Sequence, residues 1–142
     1  MTKSTEELLE MMKNNPDYAS YLEAVRDNVI VTPAKIDEVL NRTLEETGMK
    51  KADVIARSGI EQHYAYQIFS GKRIPTRDKA IMMCFGFGMD IAGTQKFLKI
   101  TGYAELYGKE LRDNAILFGL TNRMSVIDVN GMLYDLGLPL LV

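Results

Sequence analysis

The stretch SGIEQHYAYQIFSGKRIP, Ser58 to Pro75, narrows the fold of this chain more than any other. Gly59 stands where a tight turn needs a positive φ at low cost, and Gly71 stands where a helix stops. Between them Ala65, Ile68 and Phe69 recur at helical spacing and can face inward, which leaves Gln62, His63, Tyr66 and Gln67 outward. Upstream, Val54, Ile55 and Arg57 lie on a short helix that runs into the turn. The spacing predicts helix, four-residue turn, helix, with Ile60 buried just past the turn and the second helix running from about Glu61 to Ser70. Pro75 opens the helix after it. The outward side chains of the second helix can both donate to and accept from the edges of nucleic-acid bases.

The remainder of the chain is punctuated in the same helical manner. Ser4-Thr5-Glu6-Glu7 reads as a capping box, followed by Leu8, Leu9 and Met12 at helical spacing. Asn15-Pro16-Asp17 breaks that helix, and a second one carries Tyr18, Tyr21, Leu22 and Val25 on one face. Val29-Ile30-Val31 is a short β-branched link, after which Thr32-Pro33 offers a cap and a first-turn proline. Ile36, Val39, Leu40 and Leu44 then form an apolar stripe that Gly48 ends. Further on, Asp90 caps a helix that stops at Gly102, and Ser125 caps one that stops at Gly137. DIAGTQKFLKITGYAEL and SVIDVNGMLYDLGLPLL share the cap, an apolar pair, the glycine and the final leucine at an offset of 35. That pattern suggests a duplicated helix-plus-glycine unit, with Leu111 to Leu120 helical between the copies. No strand alternation is visible, so the expected fold class is all-α, a single domain over residues 1–142.

Charge matters once it is divided along the chain. The whole has a net charge of −2. Between Lys50 and Lys79, however, seven basic residues (Lys50, Lys51, Arg57, Lys72, Arg73, Arg77, Lys79) face three acidic ones (Asp53, Glu61, Asp78). A positive stripe in an acidic frame is what a phosphate-binding surface needs, because local charge attracts the backbone. The lone cysteine, Cys84, rules out a disulfide within the chain and fits a reducing cytoplasm. The polar N-terminus lacks a secretory pattern, and the apolar run Ala80 to Met89 is about half of what a membrane span needs. A cytoplasmic protein with no membrane partner is expected.

Met49 to Thr76 resembles the helix-turn-helix of the lambda-repressor-like (Xre) transcriptional regulators. The matching residues are the Gly59-Ile60 turn, Gln62, Ile68, Gly71-Lys72-Arg73 and Pro75. The resemblance implies a five-helix core over roughly residues 32–101, with helical extensions before it (1–31) and after it (102–142). It implies a sequence-specific DNA-binding regulator whose partner is double-stranded DNA. Gln62, His63, Tyr66 and Gln67 would face the major groove, and Lys51, Lys72 and Arg73 would lie near phosphates. The departures are informative. Lys50 and Lys51 stand where the family often has a polar cap and a glutamine, which keeps a phosphate contact but not a bidentate amide. Ile55 takes the place of a usual alanine and Ala65 that of a usual large aliphatic, an exchange that conserves volume if the two face each other. Tyr66 and Phe69 replace small and acidic residues, and Tyr64 adds another ring.

The sequence holds few residues suited to catalysis. His63 is the only histidine, no His/Cys grouping has metal-ligand spacing, and Gly86-Phe87-Gly88 reads as a helix end rather than a dinucleotide loop. No enzyme activity, cofactor or metal is expected, and Cys84 in its apolar run reads as an inert core thiol. The rival to DNA binding is a protein-interaction module that reuses the fold, with Tyr64, Tyr66 and the apolar tail LGLPLLV against a partner. The helical extensions also offer surface for a homodimer or a protein partner.

Overall fold

The computed structural model describes residues 3–25 and 33–142. Along them run α1 (Thr5–Lys13), α2 (Tyr18–Val25), α3 (Ile36–Thr47), α4 (Lys51–Ser58), α5 (Gln62–Phe69), α6 (Arg77–Phe87), α7 (Ile91–Ile100), α8 (Leu111–Thr121) and α9 (Val126–Asp135). There is no strand among the described residues, and no described helix is long and apolar enough to cross a membrane. The chain divides into two units, Met1–Pro33 and Ala34–Val142. The link at Val29-Ile30-Val31 and the expected cap Thr32 lie outside the described residues.

In the first unit the capping box forms as expected. Ser4 Oγ accepts from the Glu7 N–H at 3.1 Å, and the Glu7 carboxylate accepts from the Ser4 N–H at 3.3 Å. Asp17 starts α2 by accepting from Ser20 N and Oγ, which holds its carboxyl below the usual range. The inferred apolar faces are only partly used. Leu9 and Met12 on α1 and Tyr18 on α2 are exposed, whereas Tyr21 and Val25 are buried.

The second unit holds the main core. α3 begins at Ile36 with Lys35 as its N-cap, three residues past the proline that was expected to sit in its first turn. The reason is tertiary: the Ala34 N–H donates to the Ile100 carbonyl at 2.8 Å, which ties this segment to the end of α7 in a non-helical path. Gly48 closes α3 at φ +70°, as the sequence implied. α4 packs on α6 and α5 on α3, so the two short helices are each backed by a longer one. The α4–α6 approach is close enough that a Cβ on Gly86 would lie 2.5 Å from the Val54 carbonyl oxygen. Gly86 is therefore an interior contact residue of α6, and the helix end expected there is made by Gly88 alone, at φ +68°.

The duplication extends further than the capped helices suggested. α7 and α9 are each ten residues long, and each follows an eleven-residue helix, α6 or α8. At the same offset of 35, Arg77-Asp78 opens α6 and Arg112-Asp113 opens α8. The two dipeptides pair reciprocally: Arg77 grips Asp113, with Nη2 at 2.9 Å, and Arg112 grips Asp78, also at 2.9 Å. Each arginine also donates to two carbonyls of its own copy's tail, Ala104 and Glu105 for Arg77 and Pro139 and Leu140 for Arg112. The tails are pinned alike. Gln95 exchanges two hydrogen bonds with the backbone of Leu106, and Asn130 does the same with Leu141. The copies are thus related as the halves of an isologous pair, fused in one chain. Inside each copy the helix crossing is filled differently: Cys84 lies against Thr94 in the first, Gly119 against Val129 in the second. Burial pushes the Cys84 thiol up to about 12, so it is an inert core group; the Thr94 hydroxyl beside it has no other hydrogen-bond partner among the described residues. The apolar tail tucks inward at Leu141, which is fully buried, while Val142 stays exposed.

Candidate nucleic-acid interface

The candidate surface is the exposed side of α4, its turn and α5. The turn has three residues, Gly59 to Glu61, one fewer than the sequence spacing suggested. Gly59 takes φ +74°, and a Cβ there would meet Val126 at 3.4 Å, so the second repeat buttresses the turn from behind. Ser58 locks it locally: its buried hydroxyl donates to the Ile55 carbonyl at 2.7 Å and accepts from the Ile60 N–H at 3.2 Å. Glu61 caps α5, its carboxylate accepting from the Tyr64 N–H at 2.6 Å. At the other end Asn41 of α3 donates to the Phe69 carbonyl at 2.8 Å, which fixes where α5 stops. Ala65, Ile68 and Phe69 are buried, as their spacing required.

The seven residues singled out from the sequence are not equivalent. Gln62, His63 and Tyr66 are exposed on α5, and Lys72 and Arg73 are exposed just beyond it. Gln67 is half-buried and already engaged at both ends of its amide. Its oxygen accepts from Arg73 Nε, and its nitrogen lies 3.2 Å from His63 Nε2. The Gln62 amide has no such partner among the described residues and lies beside the shallow groove between α4 and α5, next to Tyr66. Of the two glutamines, only Gln62 therefore presents a free donor–acceptor pair.

Aromatic rings organise the cations. Arg73 and Lys79 each stand 4.8 Å from the centroid of the half-buried Tyr64 ring, and Lys51 stands 5.3 Å from that of Phe69. Such contacts stabilise by about 0.5–1 kcal/mol at exposed sites and hold charges together that would otherwise disperse. Tyr64 is thus a platform for positive charge and Tyr66, 40% exposed, is the ring that faces out. The sequence signal for this was available in the spacing of Tyr64, Arg73 and Lys79, but not the pairing. Arg77, counted in the positive stripe, is spent on Asp113.

Lys50 adds a feature at the start of α4. As N-cap it supplies no side-chain bond, so the Lys51 and Ala52 N–H groups stay open beside Lys50 and Lys51, whereas the Asp53 N–H donates to the Lys50 carbonyl at 3.0 Å and its carboxylate lies in the same turn. No grouping of three or more His, Cys, Asp or Glu able to hold a metal occurs among the described residues. Comparison with protein-family models, with curated proteins and with solved structures finds no match for this chain.

Proposed function

We propose that this protein is a sequence-specific DNA-binding transcriptional regulator of the lambda-repressor-like kind. The exposed face of α5 enters the major groove, and Lys50–Lys51 and Lys72–Arg73 straddle it on the phosphates. One observation carries the reading: a free amide, Gln62, sits on the first turn of α5, flanked by the open N-terminus of α4 and the cations gathered on Tyr64. Gln62 can accept from the adenine amino group and donate to the ring nitrogen, a bidentate fit the other bases do not reproduce. Glu61 beside it accepts hydrogen bonds only, which suits a cytosine amino group and disfavours a phosphate. Gln67 acts by bracing His63 and Arg73 rather than by reading.

Selection from a random oligonucleotide pool is expected to yield a preferred site. On that site Gln62→Ala should cost about 1–3 kcal/mol and on random DNA very little, narrowing the ratio between them. Lys72→Ala should weaken both alike, because phosphates are the same everywhere. Loss of the preferred sequence through Tyr66→Ala, with Gln62→Ala silent, would move the reading to the ring.

Binding should also weaken steeply with salt. Removing the charge at Lys51, Lys72 or Arg73 should each lower the log–log salt slope by roughly one unit per protomer. Arg73→Ala should cost more than its charge, since it also releases Gln67 and uncovers Tyr64. A slope that ignores all three substitutions would contradict the assigned phosphate contacts.

A protein-interaction module is the second reading, favoured by the exposed rings and aliphatics near α5: Tyr66, and Ile74 at 84% exposure. A pool that yields no preferred sequence, together with retention at low salt of a protein partner through Tyr66, decides for it.

A further inference from the structure

The two repeats meet around a cavity of about 400 Å³, within the range of small-molecule sites. Its walls come in equivalent pairs, Phe85 with Leu120 and Met89 with Met124, so most of the lining is apolar and adaptable. The third pair breaks the equivalence. Gly88 and Arg123 hold the same left-handed backbone, φ +68° and +53°, a conformation glycine adopts freely and arginine does not. Arg123 is the one non-glycine residue with positive φ among the described residues. Its backbone closes α8 as Gly88 closes α6, the Arg123 N–H donating to the Leu120 carbonyl at 3.4 Å and the Met124 N–H to the Gly119 carbonyl at 2.9 Å, while its exposed guanidinium has no partner among the described residues. The conformation is therefore explained by the helix end, and what the helix end does not explain is an arginine there, its guanidinium unpaired among the described residues at the edge of an apolar cavity. The other charge lining the cavity, Asp90, is turned to its own helix and accepts from the Gly93 N–H at 2.7 Å. A free cation above an apolar wall complements an anion with a hydrocarbon body.

We propose that this cavity binds a small monocarboxylate with a medium-length apolar chain, its carboxylate on Arg123 and its chain between Met89 and Met124. Guanidinium and carboxylate match as two parallel charge-assisted hydrogen bonds, and the paired methionines shape themselves to an unbranched chain. The site uses no residue of α4 or α5, so it stands apart from the DNA-reading proposal.

Octanoate and 1-octanol are suitable probes, titrated into the full chain with its methionine methyls carbon-13 labelled. Octanoate should shift the Met89 and Met124 signals saturably and leave those of Met12 and Met49 in place. Octanol should bind at least about tenfold more weakly, the share expected of the charged head. Arg123→Gly, which restores the residue of the first repeat, should melt no lower than the parent and bind both probes equally. Arg123→Lys should keep part of the preference for octanoate. Shifts spread evenly over all methionines, an absence of saturation, or an Arg123→Gly variant with unchanged octanoate affinity would each overturn the proposal.

Discussion

Gly86→Ala should destabilise the unit Ala34–Val142 by about 3 kcal/mol, the upper end of what overpacking costs. The added Cβ would sit 2.5 Å from the Val54 carbonyl oxygen, and a backbone atom in a helix has no rotamer by which to move aside. α4 must lift off α6 instead, so the variant should also lose the proposed DNA binding before it unfolds. Gly119→Ala should cost less, about 1–3 kcal/mol, because its obstacle is the Val129 methyl at the α8–α9 crossing. Gly131→Ala has the opposite sign. Nothing lies within 4 Å of that Cβ and the residue is inside α9, so the usual helix preference should stabilise by about 0.5–1 kcal/mol. Urea melts of the three variants test the set, and a Gly86→Ala protein as stable as the parent would show that α4 and α6 do not approach as described.

Asp113→Ala should be the most damaging of the polar substitutions, at about 2–4 kcal/mol. Asp113 is 6% exposed and accepts from both Nη atoms of Arg77 and from the Tyr107 N–H. Removing it strands a partly buried guanidinium and a backbone donor together. Asp78→Ala breaks the symmetry-equivalent bond to Arg112, but that carboxylate is more exposed, so its loss should cost less. The same pair sets a pH dependence. Burial pushes the Asp113 carboxyl up, while the hydrogen bonds from Arg77 and Tyr107 and the guanidinium charge more than offset it and hold it below 3.8. A depressed folded value contributes stability above the unfolded one, and that contribution is lost as pH falls below about 4 and through the folded value. Asp113→Asn should therefore narrow the fall in stability on acidification. An identical acid limb in parent and variant would mean that the pair does not form.

Much of this molecule is written locally. Ser4, Asp90 and Ser125 cap helices, and Gly48, Gly59 and Gly71 turn the chain, because each acts on backbone groups within a few residues of itself. The same locality exposed the core face of α5 and placed Gln62, His63 and Tyr66 outside. The sequence also contains, at its offset of 35, the Arg-Asp dipeptides that join the repeats, although spacing alone does not say that each arginine chooses the other copy's aspartate. What the tertiary structure decided is everything that depends on a distant partner. α3 starts late because Ala34 is held by Ile100, Gly86 is glycine because of Val54, and Gln67 is occupied because Arg73 and His63 reach it. Periodicity tells which side of a helix is apolar, and only the packing tells which polar group on the other side has already found its partner.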